Sequence, residues 1–177
     1  VLDENFLKVP QRAHELLDLM EENGKRFTFG IFSSAETLSQ FGDLDLLVRL
    51  GVNFLWMGVE SRKEVYEKNR GIDFRTLVAE LRRRGVAVMT SAILFLEHHS
   101  PETIGDEIDF AIGLGADFVQ FMQLGPIPGT KLYDDYAREG KLLADVPWAE
   151  QHGQDRIWFA HPAFSRDETR AILRDAF

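Results

Sequence analysis

Four runs of apolar, aromatic and β-branched residues, Phe27 to Phe32, Val52 to Val59, Val86 to Leu96 and Phe118 to Leu124, recur roughly every thirty residues. Each is short and nearly continuous, which predicts strands buried on both faces. The segments between them carry helical spacing. Val9, Ala13, Leu16, Leu17 and Met20 form one apolar stripe on a helix that Gly24 ends. Asp73 can cap a helix running to Arg84 and stopping at Gly85, while Ser100-Pro101 offers an N-cap with proline at the first helical position. A helix between successive strands implies parallel pairing with right-handed crossovers, in an open doubly wound sheet or in part of a βα barrel. Spacing alone does not separate the two.

After Leu124 the pattern changes to the turn Gly125-Pro126-Ile127-Pro128-Gly129-Thr130, followed by a predicted helix around Lys131 to Glu139. From about Leu143 the sequence is irregular, carries Trp148 and Trp158, and ends in an amphipathic helix from about Asp167 with Ser165 as its cap. A chain of 177 residues can bury one substantial core. The division expected is therefore a βα body over 1–142 and an extension over 143–177.

Charge and composition exclude several classes of function. A formal net charge of −9, from 20 basic and 29 acidic residues, repels a phosphate backbone and offers no polybasic membrane anchor. No stretch approaches the roughly 20 apolar residues of a spanning helix, and Val1 to Phe6 lacks the basic start and apolar run of a signal peptide. With no cysteine, disulfides, thiolate nucleophiles and thiolate-held metal clusters are all ruled out within these residues. The expectation is a soluble, cytoplasmic protein that binds neither nucleic acid nor membrane. An opening without Met, in what reads as the end of a strand, suggests a start inside a longer protein.

Both candidate architectures bind ligands at the carboxyl ends of their strands, so the residues after each apolar run are the ones to inspect. They are Asp3-Glu4-Asn5, Ser33-Ser34, Glu60-Ser61, Glu97-His98-His99 and the Gly125 to Thr130 turn. Glu60 leads: a carboxylate closing the run Trp56-Met57-Gly58-Val59 can accept both hydroxyl hydrogens of a ribose, or else cap a helix or join a salt bridge. Asp3 and Asn5 could hold an ammonium group, although turn-forming Asx residues ahead of a helix explain such clusters more often. His98, His99 and Glu97 invite a metal, but adjacent side chains diverge and no third ligand stands at recognisable spacing. The prolines and Gly129 could present backbone to a flat ring, or simply provide a rigid exit from the last strand. Trp56 and Phe54 read as core. Dinucleotide and phosphate-loop fingerprints are absent.

Asp3-Glu4-Asn5-Phe6, Gly58-Val59-Glu60-Ser61, Pro101-Glu102-Thr103, Gln120-Phe121-Met122 and Pro126-Ile127-Pro128-Gly129-Thr130-Lys131-Leu132-Tyr133, in that order and spacing, resemble the radical S-adenosylmethionine superfamily. More narrowly they resemble the subgroup that often carries a cobalamin-binding domain ahead of the barrel. The match covers about residues 1 to 143. The resemblance implies an α/β fold, a partial, TIM-like βα barrel with parallel strands plus a C-terminal irregular and helical extension. It also implies a 4Fe-4S cluster that cleaves S-adenosylmethionine to a 5′-deoxyadenosyl radical, which abstracts hydrogen from substrate. By position, Asp3 and Asn5 would lie near the methionine amino group and Glu60 near the ribose or amino acid portion. Ser33 and Ser61 flank that region, the backbone at Leu96 would meet adenine, and Pro126, Pro128 and Gly129 would close the adenine side.

The chain departs from the family at several points. The three cluster cysteines follow the first barrel strand, and none is present, so Val1 is expected near the end of the second strand and the residues given are expected to be inactive alone. Arg62-Lys63 replaces a usual Gly-Ser, Ser33-Ser34-Ala35 lacks a frequent arginine, and Glu97-His98-His99 replaces a glycine-rich turn. The substrate implied is a small molecule, lipid-like or tetrapyrrole-like, with cobalamin as an additional candidate cofactor. An uncovered sheet edge predicts dimerisation. Two other functions compete: a metal-dependent βα-barrel hydrolase or lyase using Asp3, Glu60 and His98, and a non-catalytic nucleotide- or partner-binding module.

Overall fold

The computed structural model describes residues 1–62 and 69–176; Lys63, one of the departures noted above, lies outside them. Strands β1 (Phe29–Phe32), β2 (Val52–Glu60), β3 (Ala87–Leu94) and β4 (Phe118–Gln123) form one parallel sheet in the order β1-β2-β3-β4. Ile31 stands opposite Leu55, and Leu55 opposite Val88. The described α-helices are α1 (Pro10–Glu22), α2 (Ala35–Phe41), α3 (Leu44–Leu50), α4 (Phe74–Arg83), α5 (Ile104–Gly113), α6 (Lys131–Arg138) and α7 (Arg166–Asp175). None is long and apolar enough to cross a membrane.

The chain divides into two compact units, Val1–Ala92 with Phe110–Gln120, and Ile93–Asp109 with Phe121–Phe177. In the first, alternation along β2 separates two sheet faces: Leu55, Met57 and Val59 are fully buried, while Phe54, Trp56, Gly58 and Glu60 are half-buried. Ala13, Leu17 and Met20 of α1, Leu47 and Leu50 of α3, and Val78 and Leu81 of α4 are likewise buried as core, each large aliphatic worth about 1.5–3 kcal/mol on burial. The other face is aromatic. Phe32 stacks 4.9 Å from Trp56 and Phe54 lies 6.5 Å from Phe118.

The expected α1 and α4 form, α4 with Asp73 accepting from the Thr76 N–H. The spacing between β1 and β2 hides two short helices. Ser34 caps α2 through the Thr37 N–H, Asp43 caps α3 through the Leu46 N–H, and left-handed Gly42 and Gly51 end them. A Cβ on Gly51 would stand 2.1 Å from the Phe27 carbonyl oxygen, so only glycine allows this close approach; β1 begins at Phe29, leaving Phe27 outside the sheet.

In the second unit, β3 stops at Leu94 rather than Leu96 because Phe95 turns to φ 61. The N-cap expected at Ser100 is displaced. Its carbonyl accepts from Thr103 and Ile104 and its N–H donates to Thr103 Oγ1, forming a turn ahead of α5. Gln123 at the end of β4 donates to the carbonyls of His152 and Arg156, Leu142 pairs antiparallel with Phe159, and Ile157, Trp158, Phe159, Phe164 and Leu173 are buried. Helix α7 opens on a full capping box between Ser165 and Glu168.

Candidate functional site

Glu60 closes β2 at φ 62, a left-handed conformation uncommon for a residue with a Cβ. The ladder slips there, since Gly58 pairs with Ser91 but Glu60 with Ala92, and this bulge re-aims the side chain. The carboxylate folds back over Gly58, where an added Cβ would come within 2.5 Å of Oε1. It thereby enters a groove of about 200 Å³ that Ser33, Ser34, Ser91, Phe32 and Trp56 also line. The arrangement can do two things: accept hydrogen bonds from a polyol, and lay a flat group against two aromatic rings. Ser61 is buried behind it, its N–H donating to the Val59 carbonyl.

Asn5 and Asp3 spend their polar groups locally. Asn5 Nδ2 donates to Ser34 Oγ and Thr37 Oγ1, and its Oδ1 accepts from Ser33 Oγ and the Ser34 N–H, so it stitches residue 5 onto the start of α2. Asp3 accepts from the Asn5 N–H on one oxygen and from Arg12 on the other at 3.0 Å. The Asn5 amide and then Arg12 hold its carboxyl below the usual carboxylate range. With both oxygens engaged in this way, Asp3 does not favour the metal-dependent hydrolase reading.

In the second unit, Leu96 is buried and both of its backbone groups are held. Its N–H donates to His99 Nδ1 at 3.2 Å, and its carbonyl accepts from the His99 N–H at 2.8 Å and meets His161 Nε2 at 3.1 Å. Pro126 is buried beneath Trp158, whose indole N–H donates to the Pro126 carbonyl, and a Cβ on Gly125 would strike that ring at 2.6 Å. Pro128 and left-handed Gly129 are exposed ahead of α6, so only the first proline of this turn is packed.

His98 and His99 do not diverge. Their rings stand 4.4 Å apart, and Glu107 in the first turn of α5 brings a third donor, all three ligand atoms lying within 4.8 Å. Sequence spacing missed Glu107, because α5 begins at Ile104 and only that start turns residue 107 toward the loop. The chemistry is nevertheless that of a histidine–carboxylate pair. With Nδ1 of His99 accepting from Leu96, the neutral ring carries its proton on Nε2, which faces Glu107 Oε1 at 3.8 Å; a metal needs that nitrogen bare and ordinarily leaves the other as donor.

The Escherichia coli coproporphyrinogen III oxidase HemN, a radical SAM enzyme, superposes on 93% of this chain and 35% of its own, with a TM-score of 0.59 at 17% identity. This chain shares the fold of that part of HemN. The radical SAM methyltransferase TsrM from Kitasatospora setae covers 62% of the chain and 23% of its own at 22% identity, with a TM-score of 0.48. In sequence, the chain is 28% identical over 153 residues to the bacteriochlorophyllide d C-8(2)-methyltransferase of Chlorobaculum tepidum, matching 82% of the chain and 33% of that protein. It thus spans about a third of the length of the curated relative it matches. No protein-family model matches.

Proposed function

We propose that residues 1–177 supply the nucleoside-recognising portion of a radical SAM enzyme's barrel within a longer protein. The observation that carries this reading is the strained carboxylate of Glu60 folded into a hydroxyl- and aromatic-lined groove at the carboxyl end of β2. Strain of this kind gathers at functional sites, and in βα folds ligands meet the carboxyl ends of strands. Glu60 would accept the ribose hydroxyls, with Ser33 and Ser61 behind it. For the adenine, the candidates are the exposed Pro128 and Gly129 of the second unit, since the backbone groups of Leu96 and the Pro126 carbonyl are already engaged.

A 4Fe-4S cluster does not fit the residues present. Its iron atoms need thiolates and this sequence has no cysteine, so a cluster, with the reducing electron it would supply, would have to be held by cysteines outside these residues. On this reading the chain binds and orients; it does not reduce. The aromatic sheet face, with Phe32, Trp56, Phe54 and Phe118 half-buried or exposed, supports a large flat substrate of the tetrapyrrole class over a lipid. The substrate in the name of the Chlorobaculum relative is of that class. Cobalamin would enter if the reaction is methyl transfer.

The deciding experiment is anaerobic cluster reconstitution of the longer protein, followed by assay for 5′-deoxyadenosine under reduction. Wild type should form it, and Glu60→Gln, which keeps the side chain's size but removes its charge, should form it at least about tenfold more slowly, the scale of one charge-assisted hydrogen bond. A fully loaded cluster without any 5′-deoxyadenosine overturns the reading.

A further inference from the structure

Phe95, Leu96 and His161 meet in a way that no ligand-binding role of the turn itself requires. Phe95 is fully buried, at φ 61, and its ring sits edge-on to Phe164 at 5.3 Å. The next residue, Leu96, gives its carbonyl to His161, which belongs to the C-terminal segment sixty-five residues further on. The hydrogen bonds also fix the tautomer. Ala163 donates its N–H to His161 Nδ1 at 3.1 Å, so that nitrogen is bare, the proton of the neutral ring is on Nε2, and Nε2 is the donor to the Leu96 carbonyl. A second proton could only go onto Nδ1, where it would face the Ala163 N–H. Protonation therefore removes one bond and sets two N–H groups against each other.

We propose that His161 is a positioning residue, through which the C-terminal segment holds the backbone of the turn after β3 in its left-handed step, and that it does so only while its ring is neutral. The consequence for ligand affinity rests on the function proposed above; the clamp itself does not. Around the ring stand Phe159 at 6.1 Å and Phe164 at 5.1 Å, and the charged group that faces it is Glu97, which is itself tied to Lys141 at 2.9 Å. Burial among these groups holds the His161 pKa below the ordinary 6.5, against the Leu96 carbonyl and Glu97, which favour the proton. The direction of the pH effect follows. Above pH 6.5 the ring is neutral whether clamped or released, and the clamp is at full strength. As pH falls below that value the released ring takes a proton first, so the clamp weakens until the clamped ring titrates as well.

Amide hydrogen exchange across residues 95–99 of the chain, without ligand and corrected for intrinsic rates, tests this between about pH 5 and 8. Wild type should be protected at the upper end and lose protection roughly tenfold at the lower end, the scale of one hydrogen bond between neutral groups. His161→Gln can still donate from its amide to the Leu96 carbonyl and has nothing to titrate, so its protection should be retained and flat with pH. His161→Leu should exchange fast at every pH, with Leu55 and Met57 in β2 as the control that the variant is folded. Equal protection in all three proteins, or a flat wild-type profile, overturns the clamp. Titration with S-adenosylhomocysteine on the same samples should give wild-type affinity that falls with protection, and affinity in His161→Gln that does not. If the wild type fails to bind it at any pH, the proposed function is what fails, and the exchange data still decide the clamp.

Discussion

Among the described residues, two with a Cβ, Glu60 and Phe95, adopt left-handed backbone, and each does so at the carboxyl end of a strand. The two costs differ in what a substitution would recover. Phe95 is fully buried against Phe164, so replacing it with glycine would relax the backbone but open a cavity worth several times more, about 3–5 kcal/mol. Glu60 is half-buried and makes contacts of its own, so Glu60→Gly should gain up to about 1 kcal/mol from relief of strain and lose what its carboxylate contributes, for a net change within about 1 kcal/mol. The same variant should abolish nucleoside binding. Urea unfolding beside a S-adenosylhomocysteine titration checks the pair, and a clear loss of stability would show that Glu60 serves packing, with no separate role at the site. Gly58 belongs to the same argument, since only a residue without a Cβ leaves room for the carboxylate to fold back.

At the scale of elements, the helix ends carry most of the local specification. Ser165 caps α7 and receives Glu168 in return. Ser165→Ala should cost about 1 kcal/mol in urea unfolding and loosen the C-terminal segment first, visible as faster exchange in 157–173 ahead of β2. Such caps are also why α4 and α7 were legible in the sequence: Asp73 and Ser165 act within one turn of themselves, whatever surrounds them. Strand boundaries were less legible because tertiary geometry decides them. Phe27 looks like strand, yet β1 begins only at Phe29, where the Phe29 N–H donates to the Gly51 carbonyl at the exit from α3. Phe95 and Leu96 look like strand, yet the backbone turns at φ 61. The two helices between β1 and β2 are seven residues each, too short for periodicity to reveal. At the site, Glu60 could be read from its place after an apolar run. The engagement of Asn5 with Ser33, Ser34 and Thr37 could not, because it joins residues about thirty apart whose hydroxyls look like ordinary cap chemistry.

For the whole molecule, charge and open edges act in opposite directions. The net charge of −9 opposes self-association. Strand β1 stands first in the sheet order of the described strands, with Gly30 exposed on it. An open edge of this kind can recruit a strand from a second copy. Sedimentation equilibrium should show dimers that strengthen between low and physiological salt as repulsion is screened. A monomer at all salt concentrations would mean that the edge is protected in solution.

Half-burial of Trp56 on the aromatic face has an optical consequence. The chain has three tryptophans: Trp158 is buried at 3% exposure and Trp148 is open at 68%, with Trp56 between them beside Phe32. Their emission should spread from blue to red in that order of solvation. A macrocycle laid on the sheet face would absorb where tryptophan emits, and contact with Trp56 would remove the middle of that spread. A change of emission colour, beyond loss of intensity, would then report occupancy of that face.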